Sequence, residues 1–287
     1  MHCPVCESIN LQLKFPLTKE NKIYRCLNCT TQFLFPQLDD ESLNKLYSES
    51  YYKAWGLKGQ EDNGPLKKMK IATFDLRLNL IQKYKPNGKI LDVGCATGYF
   101  LEAAQKRGFE CSGVEFSEYS SNIAKQKFGN STIFHGTIED CGFREKDFDV
   151  IAMSDLIEHV RNPLQTLKKA KALLKEDGII MIITPNTDSL SNKLMKRRWT
   201  HYKPEHFFYF NKHSMNHLAH MLGLNLMYTE NSRKAVNIEY LKTQFEVYQH
   251  WFFTPLIKFI FGILPSKIRR MNFYLSLGEM TFILKRL

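Results

Sequence analysis

The chain has 287 residues, 44% hydrophobic and 24% charged, the make-up of a globular protein with one sizeable core and an accessory module. Its net charge of +11 calls for an anionic partner or surface, or serves solubility, but lysines and arginines are spread through the chain and form no basic tail. Seven cysteines, an odd number, and an opening Met1-His2-Cys3-Pro4 without an apolar core argue against a disulfide framework and a secretion signal, so a reducing cytoplasm is expected.

Cys3-Pro4-Val5-Cys6 and Cys26-Leu27-Asn28-Cys29 are two C-x-x-C knuckles separated by 19 residues. Four thiolates at this spacing satisfy one tetrahedral zinc, and four cysteine ligands close the site to catalysis, so residues 1–36 read as a structural zinc ribbon. Residues 11–15 and 22–24 read as short strands between the knuckles. Residues 37–87 read as a helical connector. It holds a short helix at 43–47, an aromatic cluster of Tyr51, Tyr52 and Trp55, and a longer helix carrying Leu66, Met69, Thr73, Phe74, Arg77, Leu80 and Ile81 at helical spacing.

Pro86-Asn87-Gly88 turns the chain into KILDV at residues 89–93, a buried parallel strand. Gly94-Cys95-Ala96-Thr97-Gly98 is a tight small-residue turn, and Tyr99 opens a helix running to about residue 107. Such a turn presents backbone N–H groups and a helix N-terminus to an anionic group. A second strand, residues 111–114, ends at Glu115. That is about 20 residues beyond the turn, where a carboxylate reaches ribose hydroxyls. Ser117 caps a helix to residue 128, and a third strand covers 132–135. Residues 147–153 form a fourth strand with Ser154 to Val160 at its end, where doubly wound sheets bind ligands. Asn162-Pro163 starts a helix, and residues 179–184 form a fully apolar fifth strand. Residues 224–230 and 279–285 read as a terminal antiparallel hairpin, interrupted by an insertion at about 231–278.

The turn is not a dinucleotide fingerprint, because Ala96 and Tyr99 stand where its second and third glycines belong. Asp92 with the G-x-x-x-G spacing instead resembles motif I of class I S-adenosylmethionine-dependent methyltransferases. FDVIAMSDLIEHVRNP from Phe148 and GIIMIITPN from Gly178 resemble the ubiquinone-biosynthesis-like branch. The resemblance covers roughly residues 88–230 and implies a seven-stranded, mostly parallel, Rossmann-like α/β core at 88–287. It implies cofactor contacts at Asp92, Gly94, Cys95, Ala96, Gly98, Tyr99, Glu115, Phe116, Gly136, Thr137, Ile138 and Ser154. The family often has Asp where Thr137 stands, which puts a side-chain contact to the adenine amine in doubt. By the same resemblance Tyr51 and Tyr52 fold over the cofactor, and Trp199, Tyr202 and His206 face the substrate. Packing in the core or against the ribbon is the competing reading of these aromatics.

His159 is the expected general base, because its ordinary pKa is near neutral, and Glu158 stands beside it. Asp155, Glu158 and His159 stand at i, i+3 and i+4, on one face if the segment is a short helix. Quinone O-methyltransferases of the branch bind a divalent ion through such residues; capping of the turn is the alternative. By resemblance to zinc-ribbon enzymes of surface-polysaccharide pathways, the expected acceptor is a hydroxyl of a sugar, nucleotide-sugar or lipid-linked glycan. The alternatives are a ribosomal RNA base, a quinone or other lipid hydroxyl, and a non-catalytic cofactor-binding scaffold. Nucleic acid ranks below a small molecule, because the ribbon has no basic stripe. The longest apolar stretch, residues 251–264, is broken by Pro255 and Lys258 and is shorter than the ~20 residues a spanning helix needs. With the basic residues that follow, residues 251–270 suit peripheral contact with the inner face of a membrane, a dimer face or a buried helix. The oligomeric state is left open.

Overall fold

The two cysteine knuckles flank three short antiparallel strands, β1 (Leu11–Pro16), β2 (Lys22–Cys26) and β3 (Gln32–Phe35). The computed structural model describes residues 1–39, 41–43, 65–247 and 253–287. Within the connector, residues 41–43 are helical. Tyr51 and Tyr52, expected over the cofactor, and Trp55 of the same cluster lie outside the described residues.

The core alternates strand and helix. α1 (Pro65–Gln82) leads into β4 (Gly88–Val93), α2 (Tyr99–Gln105), β5 (Phe109–Glu115), α3 (Glu118–Phe128), β6 (Ile133–His135), β7 (Phe148–Ser154), α4 (Pro163–Leu173) and β8 (Leu174–Pro185). There follow α5 (Leu190–Met195), β9 (Phe208–Tyr209), α6 (Lys212–Met221) and β10 (Leu224–Asn231). Helix starts follow local chemistry. Ser117 accepts from the Ser120 N–H, Asn162 accepts from the Gln165 N–H with Pro163 at the first helical position, and Asn211 and Ser214 cap each other's amides.

The insertion between β10 and the last strand, β13 (Glu279–Arg286), is a small unit of its own. β11 (Lys234–Val236) pairs antiparallel with β12 (Phe273–Leu275), and between them lie α7 (Ile238–Val247), α8 (Phe253–Ile263) and α9 (Ser266–Arg269). No helix among the described residues is long and apolar enough to cross a membrane.

Seven strands run in the order β10-β13-β8-β7-β4-β5-β6. β8, β7, β4, β5 and β6 are parallel, and β13 is antiparallel to both neighbours. The period of two along each strand splits the apolar residues between two faces. Leu91, Ile151, Met153, Ile180 and Ile182 join α4 and α6 on one face. Ile90, Val150, Ala152, Ile179, Met181 and Ile183 join α1 and α2 on the other. Burial on both faces explains why β7 and β8 read as continuous apolar runs.

The ribbon is not a separate bead. The outer edge of β3 pairs with β9, Gln32 opposite Tyr209 and Phe33 opposite Phe208, making one four-stranded sheet from two distant parts of the chain. An unpaired edge is thereby covered, and Ile23, Phe33 and Leu34 share an apolar cluster with residues 207–210. Trp199 and Tyr202, expected to face substrate, are packed inside instead, Trp199 against α5 and Tyr202 in this seam. The Trp199 indole donates to Ser191 Oγ at 2.9 Å, and the Tyr202 hydroxyl donates to Gln32 Oε1 at 2.9 Å with its ring 4.9 Å from Phe15. Both side chains are buried, and their polar atoms are bonded to other side chains of the protein.

The end of β7 also differs from expectation. Asp155 takes φ +56°, so the chain leaves the strand in the left-handed region and enters a turn in which the His159 N–H donates to Leu156 O at 2.8 Å. The short helix that would have put Asp155, Glu158 and His159 on one face does not form.

Candidate active site at the carboxyl ends of the parallel strands

The sheet order reverses between β4 and β7, and ligands of doubly wound sheets bind outside the strand ends at such a point. The glycine turn lies there. Gly94 and Gly98 sit at φ +80° and +84°, and a Cβ on Gly98 would come within 2.6 Å of the Phe128 ring. Conformation and space therefore both require glycine at Gly98. The Gly94 and Cys95 amides donate to Val114 O, which ties the turn to β5.

Glu115 is buried at the end of β5 and bridges two backbone segments. Its Oε2 accepts from the Ala96 N–H and its Oε1 from the Ser117 N–H, each at 2.8 Å. A carboxylate has about four acceptor positions, and holding two amides fixes where the others point. Asp92 is buried beneath the turn; burial pushes its carboxyl up to about 7, against the pull of Arg77. Thr97 Oγ1 and Ser154 Oγ, after β4 and at the end of β7, are buried without a hydrogen-bond partner among the described residues. Orphaned polar atoms beside a glycine turn are what a polar ligand would satisfy, so these residues fit a nucleoside cofactor.

The remaining residues expected to contact the cofactor lie around the same strand ends. Phe116 is half exposed, and its carbonyl faces His135 Nε2 at 3.1 Å. Gly136 donates to Glu115 O at 2.9 Å, Ile138 is buried, and the Thr137 hydroxyl donates to Asp140 Oδ2 at 2.7 Å. The Thr137 side chain is thus turned to its own loop. Tyr99 is buried at the start of α2, with Lys67, Lys70 and Lys127 ammonium groups 5.5, 5.7 and 4.6 Å from its ring centre. Cys95 is buried, and its sulfur would sit 2.7 Å from a Cβ on Gly113.

Leu156 packs against Gly94, which puts the turn after β7 directly beside the glycine turn. In it, His159 Nδ1 lies 3.0 Å from Glu205 O. A carbonyl only accepts, so Nδ1 carries the hydrogen and Nε2 is the basic nitrogen. Burial pushes the imidazole down to about 4, so His159 is neutral at physiological pH. Glu158 is fully buried, its Oε2 accepts from the Thr184 hydroxyl at 2.9 Å, and burial raises its carboxyl well above the usual range. His206 stacks edge-on to His159 at 4.5 Å, and its Nδ1 is buried without a partner among the described residues.

Ligand atoms of Glu158, His159 and His206 all lie within 4.8 Å of one another. Asp155, expected in this set, is absent from it. Lys234 Nζ lies 3.3 Å from both its oxygens, and Arg77 donates to Oδ2 at 3.4 Å. Burial opposes ionisation of Asp155, but these two cations outweigh it and bring the carboxyl to about 2. Lys234 also donates to Glu279 Oε1 at 2.6 Å, so this charge cluster joins α1, the β7 turn, β11 and β13. Arg77 and Lys234 had no local signal for this role in the sequence; they meet Asp155 across 78 and 79 positions.

The ribbon touches the same turn through backbone bonds. The Leu34 N–H donates to Phe207 O at 2.8 Å, and the Phe207 and Phe208 amides both donate to Glu158 O, at 2.7 and 3.1 Å. At the far end of the ribbon the sulfurs of Cys3, Cys6, Cys26 and Cys29 cluster within 4.8 Å, with Cys3–Cys29 at 3.6 Å and Cys6–Cys26 at 3.5 Å. All seven cysteines are unbridged. Tetrahedral zinc with bonds of ~2.3 Å needs sulfurs about 3.8 Å apart, so the donor set fits.

Comparison with known proteins agrees with this geometry. A family described as a methyltransferase domain matches residues 66–229. The ubiquinone biosynthesis O-methyltransferase of Haemophilus ducreyi is 32% identical over 162 residues, 52% of this chain and 65% of that protein. The protein of that name from Actinobacillus pleuropneumoniae is 34% identical over 139 residues, 44% of this chain and 58% of that one. The chain thus spans 58–65% of the length of these two relatives. Among solved structures, an S-adenosylmethionine-dependent methyltransferase from Thermotoga maritima superposes with a TM-score of 0.55 at 16% identity, over 86% of this chain and 99% of that one. Magnesium protoporphyrin IX methyltransferase from Synechocystis, solved with bound S-adenosylhomocysteine, gives 0.54 at 12% identity over 87% and 100%. The matched span covers α1 through most of β10, and with it the glycine turn, Glu115 and the β7 turn: the chain belongs to the methyltransferase-domain family and has the class I S-adenosylmethionine-dependent methyltransferase fold.

Proposed function

We propose that this protein transfers a methyl group from S-adenosylmethionine to a hydroxyl of a small aromatic acceptor of the quinone-precursor type. The observation that carries methyl transfer is the placing of the glycine turn and Glu115 at the same carboxyl strand ends as the turn that carries a neutral, oriented His159. S-adenosylmethionine supplies an electrophilic methyl on its sulfonium. Glu115 holds the turns after β4 and β5 together and receives the ribose hydroxyls. Glu205 O holds the His159 Nδ1 hydrogen, which makes Nε2 the basic ring nitrogen that would take the acceptor's hydroxyl proton while the new oxygen–methyl bond replaces the sulfonium–methyl bond and S-adenosylhomocysteine leaves. Arg77 and Lys234 pin Asp155 at the start of the turn that carries His159. The acceptor class rests on the names of the relatives. None of those names supports the sugar or glycan acceptor expected from the sequence, nor an RNA base.

Cys3, Cys6, Cys26 and Cys29 would hold one structural zinc. A divalent ion on Glu158, His159 and His206 is a second reading, favoured by the closeness of their ligand atoms; it would make turnover sensitive to chelator and restorable by metal.

The test is incubation of the purified protein with methyl-labelled cofactor and three acceptors: a polyprenyl catechol, a nucleotide-sugar and ribosomal RNA. Label is expected in the catechol as a methyl ether. Label in the nucleotide-sugar would return the acceptor to the sugar class, and label in ribosomal RNA would replace the small-molecule reading altogether.

A further inference from the structure

Residues 253–278 contain Lys258, Lys267, Arg269 and Arg270 and no Asp or Glu, in a chain with 29 acidic residues. This stretch begins with α8, whose attachment is one-sided. Ile257 is buried, the Thr254 hydroxyl donates to Phe245 O at 3.2 Å, and Arg269 and Lys242 cover the Phe261 ring at 4.1 and 4.4 Å. The opposite stripe is open to solvent. Leu256, Phe259 and Ile263, at i, i+3 and i+7, are 40%, 66% and 63% exposed. Beyond the helix, Ile268 and Met271 are also exposed, at 45% and 59%. Exposed Lys258 and Lys267 flank it, and Arg270 is exposed although it bonds Glu239 at 2.9 Å.

We propose that this face of α8 lies on an anionic lipid surface. Leu256, Phe259 and Ile263 would enter the boundary between headgroups and acyl chains, while the lysines meet lipid phosphates. α8 has 11 residues, about 16 Å at 1.5 Å per residue. That is half the ~30 Å of a bilayer's hydrocarbon core, so the helix lies in the plane and does not span. Charge decides against a second copy as the occupant: two such faces would set cation against cation with no acid in the stretch to compensate. An exposed apolar helix stripe in a stretch whose only charges are cations marks an interaction surface, and an anionic, apolar-backed partner complements it. The proposal does not depend on which acceptor is methylated, because binding alone reads it out.

The experiment is flotation of the full chain with vesicles of phosphatidylcholine alone and of phosphatidylcholine with phosphatidylglycerol. Binding is expected to the anionic vesicles, weakening as salt rises. Phe259→Asp with Ile263→Asp should weaken it by roughly tenfold or more, since each buried apolar side chain is worth more than a factor of ten. Lys258→Glu with Lys267→Glu should remove the preference for anionic lipid. Unchanged circular dichroism and cofactor affinity show that the variants are folded. No vesicle binding, equal binding to neutral and anionic vesicles, or binding indifferent to both double variants would overturn the proposal. So would a dimer in sedimentation that Phe259→Asp dissolves, which would assign the face to a second copy.

Discussion

Replacing His159 with alanine is expected to lower turnover by roughly 100-fold or more, the contribution of a lost general base, with cofactor affinity unchanged. His159→Asn is the sharper variant, because its amide can still donate to Glu205 O and hold the turn while supplying no base. Comparable losses in the two variants point to proton transfer. A loss confined to the alanine variant points to scaffolding. The pH profile carries an independent check. His159 is held down to about 4 by burial, so the basic form persists well below neutrality. The acid limb of turnover should fall near pH 4 and not near the ~6.5 of an ordinary imidazole. Linkage runs in a matching direction. A histidine whose folded pKa lies below its unfolded value contributes stability that is present above about 6.5 and is lost as pH falls toward the folded value. His159 and His201, both lowered to about 4 by burial, act in this window, while Asp92, raised to about 7, acts in the opposite sense; the His159 part is therefore read as the difference in denaturation midpoint between wild type and His159→Asn, which should change in favour of the variant as pH falls from about 6.5 to 4.

Cys26→Ser is expected to abolish zinc binding and to unfold the ribbon. Purified protein should contain one zinc per chain, and the variant close to none. Zinc in small structural sites is worth roughly 10–16 kcal/mol at neutral pH, far more than β1, β2 and β3 can recover from their own burial. The effect should reach the active site. Leu34 donates to Phe207 O and Phe207 to Glu158 O, so a loosened β3 frees the strand that holds the His159 turn. Hydrogen exchange should show lost protection at the Leu34 and Phe207 amides together, and turnover should fall with it. A wild-type chain without zinc, or one with a disulfide among these four cysteines, would contradict the assignment.

Local chemistry was legible in the sequence wherever it decided local structure. Ser117 and Asn162 cap the helices assigned to them, and the unbroken apolar runs of β7 and β8 are the central strands of the sheet. The C-x-x-C pairs converge as their spacing required. What was not legible was decided by distant partners. β9 has two residues, too few to show any period, and exists because the edge of β3 needs a partner. The same pairing drew Tyr202 into the seam, and Trp199 packed against α5, where an aromatic-rich segment near a site read as substrate-facing. The helix expected from Asp155 to His159 failed at one backbone angle, stabilised by an ion pair to Lys234 that no local window contains. His206 was read in the site and stands against His159, but the pattern gave no sign that its other neighbour is the ribbon seam.

Calorimetric titration of the purified protein with S-adenosylmethionine, beside the Glu115→Ala variant and a nicotinamide dinucleotide, tests the central claim most directly. The account predicts that the cofactor binds. It also predicts that Glu115→Ala weakens binding by roughly 1.5–3 kcal/mol, the value of hydrogen bonds to a charged group, and that the dinucleotide binds far more weakly. Unchanged affinity in the variant would contradict the assigned site, and equal or tighter binding of the dinucleotide would contradict the function.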